Sequence, residues 1–107
     1  MITIPIKPLS VNQCWQGKRF KTKEYTKYEK DVMAMLIAIK LPTPPYKVYY
    51  EFGLSNAQAD YDNPIKPIQD ILQKRYRFND KDIYEANIKK VKVKKGEEYI
   101  KFEITSL

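Results

Sequence analysis

Histidine is absent from this 107-residue chain, and cysteine occurs once, at Cys14. Without an imidazole there is no ordinary general base near neutral pH and no histidine ligand for zinc. Serine and cysteine triads of the usual kind are excluded with it. A lone cysteine makes neither an internal disulfide nor a thiolate metal cluster, so a reduced, cytoplasmic setting is expected. No apolar run approaches the roughly 18 residues that span a bilayer. The opening MITIPIKPLS lacks the basic start, long apolar run and small-residue cleavage site of a signal peptide. Hydrolysis by such a chain must rely on carboxylates, a lysine or a bound metal.

What the chain has in quantity is positive charge: 20 Lys and Arg stand against 13 Asp and Glu, a net charge of +7. That balance favours a polyanionic partner, most simply nucleic acid. A membrane surface fits less well, because the lysines are not gathered on one amphipathic helix. Hydrophobic residues make up 43%, enough for one modest core, so residues 1–107 read as one small domain. At this size dimerisation is an economical way to add buried surface.

The apolar pattern gives the order strand, helix, strand, helix, strand, strand. ITIPI, residues 2–6, reads as a short strand with Pro5 marking an edge. Residues 8–22 are a polar, basic connection. Val32, Leu36 and Ile39 recur at helical spacing, predicting a helix from Thr22 or Tyr25 to Ile39, with Thr26 and Glu29 as a capping box and LPTPP as its stop. YKVYYEFGL, residues 46–54, alternates as a half-buried strand. Ile65, Ile68, Ile71 and Leu72 mark a second helix ending near Arg75; Pro64 suits its start, whereas Pro67 predicts a distorted or delayed first turn. NIKKVKVKK and EYIKFEITSL read as a hairpin about Gly96. The predicted fold is a two-layer α+β domain in β-α-β-α-β-β order, with a mixed or mostly antiparallel sheet and the helices on one side.

Within this cationic chain, ADYDNPIKPIQD (59–70) gathers Asp60, Asp62, Asn63, Lys66 and Asp70. If Asp60 and Asp62 continue an extended strand, both carboxylates point the same way and repel unless a cation lies between them. Mg²⁺ suits such a seat, since it takes oxygen ligands and is held by one or two carboxylates plus substrate phosphates. The alternative is a solvated loop in which Asp and Asn make local turns. An EF-hand is excluded, because Ile65 and Ile71 stand where it needs glycine and glutamate. Lys66 and Asp70 fall on one helix face, either as an ordinary surface ion pair or as a cation set near reacting phosphate. Asp80 and Asp82 follow the second helix.

These residues resemble the RusA-like Holliday-junction resolvases, small endonucleases of bacteria and their phages. The likeness rests on the Asp-x-Asp-Asn run with a lysine four residues on and an aspartate four beyond it. To these are added NDKDI after the helix and a Pro-x-Ser-x-Asn opening at Pro8, Ser10 and Asn12. The resemblance implies a homodimer that binds four-way DNA junctions and nicks two strands symmetrically. Mg²⁺ or Mn²⁺ would activate the attacking water. It carries metal-ligand and catalytic roles onto Asp60, Asp62 and Asp80, the essential lysine onto Lys66, and supporting roles onto Asn63, Asp70 and Asp82. Two departures stand out: Asn79-Asp80 replaces a pair of acids, and no glycine precedes them, so Asn79 is expected to take the tight conformation.

For DNA binding the candidates are Lys18, Arg19 and Lys21 in the N-terminal loop and Lys89, Lys90, Lys92 and Lys94 on the penultimate strand. The strand lysines can equally protect a sheet edge from self-association. Trp15, Phe20 and Tyr76 are candidates for stacking on unpaired bases. Two other functions fit the same composition: a non-catalytic nucleic-acid-binding module, and a metal nuclease acting on flaps, forks or RNA.

Overall fold

The structure, a computed structural model, describes residues 1–17 and 20–107; the expectations for Lys18 and Arg19 lie outside the described residues. Eight elements carry the fold: β1 (Ile2–Ile4), β2 (Trp15–Gln16), β3 (Phe20–Lys21), α1 (Lys23–Met35), β4 (Tyr46–Leu54), α2 (Ile65–Tyr76), β5 (Ile83–Lys92) and β6 (Tyr99–Ser106). The main sheet has four strands in the order β1-β6-β4-β5, and β2 with β3 forms a small separate ribbon inside the polar connection. The α+β class and the mixed sheet agree with the sequence pattern.

The C-terminal hairpin does not form. β4 lies between β5 and β6, antiparallel to β6 and parallel to β5. The turn near Gly96 is real, with Glu97 N–H on Lys94 C=O, but it spans the width of a third strand. Burial accounts for the arrangement. β4 is the most fully buried strand, with Val48, Tyr50 and Phe52 all at 0% exposure, and it takes a position flanked on both edges. β5, rich in lysine, is relegated to one edge, and the three-residue β1 closes the other before Pro5.

One face of the sheet carries the core. Val48, Tyr50 and Phe52 of β4, Ile100 and Phe102 of β6 and Ile4 of β1 meet Val32 of α1 and Ile68, Ile71 and Leu72 of α2. The expected half-burial of β4 is exceeded on the other face. Glu51 is only 9% exposed; it accepts hydrogen bonds from the hydroxyls of Tyr49 and Tyr99 and lies 3.7 Å from Lys101 Nζ. The Tyr99 ring covers Gly53, where a Cβ would fall 2.4 Å from its Cδ1.

α1 departs from its predicted end and cap, whereas α2 keeps its predicted ends to within a residue. α1 is capped by Thr22, whose Oγ1 accepts from Tyr25 N–H, and not by Thr26. Glu29 instead bridges Lys21 and Lys74, at 2.7 and 2.9 Å. The helix stops at Met35, with Leu36 already extended, so Ile39 packs against the core from outside it. α2 begins at Ile65 and runs through Pro67. Pro67 sits in the first turn, where its missing N–H has no intrahelical acceptor to lose. The helix ends on Arg77, which takes the left-handed conformation (φ 57°) in place of the expected Asn79; Asn79 is extended and accepts from Lys81 N–H.

Candidate functional site

The parallel register of β4 and β5 decides where the acidic segment rests. It sets Lys90 beside Phe52 and Lys92 beside Leu54, at the end where the chain leaves β4 toward Asp60. Lys90 Nζ donates to the carbonyl oxygens of Ala57 and Ala59, each at 2.9 Å, and Lys92 Nζ donates to that of Ser55. Two lysines expected to face DNA thus hold the backbone of the loop that presents Asp60. Sequence reasoning missed this role, because it needs a parallel partner that the sequence does not announce.

The segment is tied from the other side by the N-terminal turn. Val11 N–H donates to Asn63 C=O at 2.9 Å. That turn, Val11–Gln13, is built by Ser10, whose Oγ accepts from Asn12 N–H while Gln13 Oε1 accepts from Ser10 N–H. The two motifs of the resemblance therefore touch. Between them lies a cleft of about 330 Å³, lined among others by Lys7, Ser10, Ser55, Asp60, Asn63 and Glu98. Lys7, Ser55 and Glu98 were not singled out by any sequence signal.

Asp60 and Asp62 do not continue a strand. β4 ends at Leu54, and a turn at Ala57 and Gln58 intervenes, so the two-residue spacing is not that of extended β backbone. Asp60, Asp62 and Lys66 are exposed on an anchored backbone. Asp60 accepts a long bond of 3.4 Å from Asn63 Nδ2, and the Asp62 carbonyl accepts from Ile65 N–H at the start of α2. One turn along the helix, Lys66 Nζ donates to Asp70 Oδ1 at 2.8 Å. The Asp70 bond, together with the negative charges of Asp70 and Asp80, raises the Lys66 pKa above the usual lysine value.

Asp80 and Asp82 form a short 3-10 turn just before β5. In the parallel pair, β5 begins beside Tyr46, whereas Asp60 and Asp62 follow the far end of β4. Among the described residues no group of three or more His, Cys, Asp or Glu side chains converges in a way that would hold a metal ion. Asp60, Asp62 and Asp80 are thus not brought together as one carboxylate cage. Their donor chemistry, exposed carboxylate oxygens, still suits Mg²⁺ or Mn²⁺, which needs only one or two such groups from a protein.

The binding candidates divide. Lys21 is engaged by Glu29. Lys89 lies on the open sheet face beside Glu51, and Lys94 is exposed beyond the end of β5. Of the stacking candidates Phe20 is 73% exposed and Trp15 45%, the latter edge-on to Tyr25. Tyr76 is corrected to a core residue: it is buried, and its hydroxyl donates to Ile37 C=O at 2.6 Å.

Among the described residues no helix is long and apolar enough to cross a membrane. No family model and no curated protein matches the chain.

Proposed function

We propose that this protein is a metal-dependent, structure-selective endodeoxyribonuclease that acts as a homodimer on branched DNA, four-way junctions foremost. The observation that carries the reading is the anchored acidic ledge. On a chain of net charge +7, Asp60, Asp62 and Lys66 are exposed while the backbone beneath them is pinned by Val11 and Lys90. Exposed polar groups on a fixed backbone are the arrangement a preorganised site requires.

Asp60 and Asp62 would hold the divalent ion, which when bound neutralises phosphate charge and acidifies water at the scissile bond. Asn63 steadies the Asp60 carboxylate through its amide. Lys66, kept cationic by Asp70, offers its ammonium to a phosphate oxygen and to the negative charge that grows in the transition state. Lys94 and the other unengaged lysines supply sequence-independent attraction to the backbone. Asp80 contributes to the field at Lys66.

One observation favours a second reading. The lack of a converging three-carboxylate group among the described residues suits a binding module that does not cut. The deciding experiment incubates labelled four-way junction and matched linear duplex with protein in Mg²⁺, Mn²⁺ or EDTA, beside Asp62→Asn. Paired metal-dependent nicks in the junction, lost in the variant while binding persists, support the nuclease. Junction binding with no cleavage under either metal overturns it in favour of the module.

A further inference from the structure

β5 is the longest strand of the sheet, ten residues, and it occupies an edge. Residues 84–87 are exposed, and Tyr84 is 69% exposed. An edge of this length presents a row of unpaired N–H and C=O groups and invites another strand. The opposite edge, β1, is only three residues long. Lysine on an edge is a common defence against such pairing, but here the defence covers only half of the strand. Lys89, Lys90 and Lys92 lie in its C-terminal half; Glu85 lies in its N-terminal half, with Asp82 just before it.

That polarity is self-complementary in one direction only. Laid antiparallel on a second copy about a twofold axis through Asn87, the strand sets Glu85 opposite Lys89. The same register sets Ala86 opposite Ile88, within the regular stretch of the strand that follows Tyr84. A twofold perpendicular to the sheet pairs only residues on the same face, so both helix layers stay on one side and a one-residue slip is forbidden. Moving the axis to Lys89 would oppose lysine to lysine. Parallel pairing in register would place each charge beside its like.

We propose that two copies of this chain associate through antiparallel β5–β5 pairing centred on Asn87, joining their sheets into one of eight strands. The contacts Glu85 already makes, 4.0 Å to Lys47 and 3.2 Å to Asn87 Nδ2, lie within its own sheet and leave the outer edge free. This specifies the homodimer of the preceding reading, but it rests on strand geometry and charge and not on nuclease chemistry. Its test therefore uses no activity.

Sedimentation equilibrium of the full chain gives the dimer affinity, with circular dichroism to verify folding of each variant. Glu85→Lys or Lys89→Glu places like charges opposite each other twice across the axis, and each weakens the dimer roughly tenfold. The double variant Glu85→Lys/Lys89→Glu restores the pairs and recovers the wild-type affinity. Separately, Asn87→Cys brings two cysteines together on the axis within disulfide reach and cross-links under mild oxidation, while Glu103→Cys, on an inner strand, does not. Cys14 is 1% exposed and does not interfere. A wild-type protein that stays monomeric at high concentration overturns the proposal. So does a dimer that is indifferent to both single reversals and to Asn87→Cys.

Discussion

The Nζ of Lys90 lies 2.9 Å from the carbonyl oxygen of Ala59, the residue directly before Asp60. An edge-strand ammonium thereby fixes the start of the acidic segment, and a second bond to Ala57 leaves the loop little freedom to swing. Lys90→Met keeps the length and apolar stem of the side chain but removes the donor. The amides of residues 56–63 should then exchange hydrogen faster, with global stability reduced by about 1 kcal/mol, the scale of an exposed charged hydrogen bond. Unchanged exchange across the segment would refute the anchoring role.

Lys66 separates chemistry from stability. The side chain is 60% exposed and its bond to Asp70 is an i,i+4 surface pair, stabilising by only a few tenths of a kcal/mol. Lys66→Met should scarcely move the melting temperature yet lower junction cleavage about 10²–10³-fold. Because the folded pKa is raised, the pair's small contribution is fully present below the ordinary lysine pKa and is lost only as pH climbs through the raised value. Wild type and Lys66→Met should therefore converge in stability at strongly alkaline pH, which a titration of melting temperature checks.

On the open face of the sheet, Glu51 shows the opposite pH sign. Hydrogen bonds from Tyr49 and Tyr99, helped by the charges of Lys101 and Lys89, hold its carboxyl below the usual value. Its stabilisation is present above the ordinary carboxylate pKa and is lost as pH falls through the depressed one. Glu51→Gln replaces one of the two acceptor oxygens by a donor, so one tyrosine hydroxyl loses its partner. A loss of about 1–3 kcal/mol near neutrality is expected, and denaturant unfolding at pH 7 and pH 3 should show that loss shrinking in acid.

Gly53 gives the steric counterpart. A methyl group there would press 2.4 Å from the Tyr99 ring, which its hydroxyl bond to Glu51 keeps in place. Gly53→Ala should cost about 1–3 kcal/mol, as overpacking does. Combining it with Tyr99→Leu should cost less than the two single changes added, a non-additivity that a double-mutant cycle in urea would measure.

Arg77 holds a left-handed backbone without being glycine. Its side chain is exposed, so Arg77→Gly removes the Cβ penalty of about 1 kcal/mol or more at little cost in contacts. The variant should melt a few degrees higher. A lower melting temperature would mean that the guanidinium contributes more than the backbone strain costs.

Much of the local structure was legible because it follows from short-range rules. The alternation from Tyr46 to Leu54 matched β4 residue for residue, and the Ile65–Leu72 spacing found α2. The errors cluster where two local options compete. Thr22 and Thr26 both offer an N-cap, and only Thr22 has its acceptor directed at the first turn. Arg77 and Asn79 both follow the helix, and asparagine's greater tolerance of φ > 0 does not decide when Asn79 is needed to cap the next turn.

By itself, then, the sequence determined the number and kind of the major elements, a cationic surface, and chemistry without imidazole or thiolate clusters, since these depend on composition and on periods of two and 3.6 residues. Only the tertiary structure decided that β4 separates β5 from β6, because a hairpin and a strand-spanning connection have the same local sequence and differ only in what each strand must bury. From that one choice follow the exposed edge at β5, the reach of Lys90 and Lys92 to the loop before Asp60, and the separation of β5's start, with Asp80 just before it, from the end of β4 that leads to Asp60.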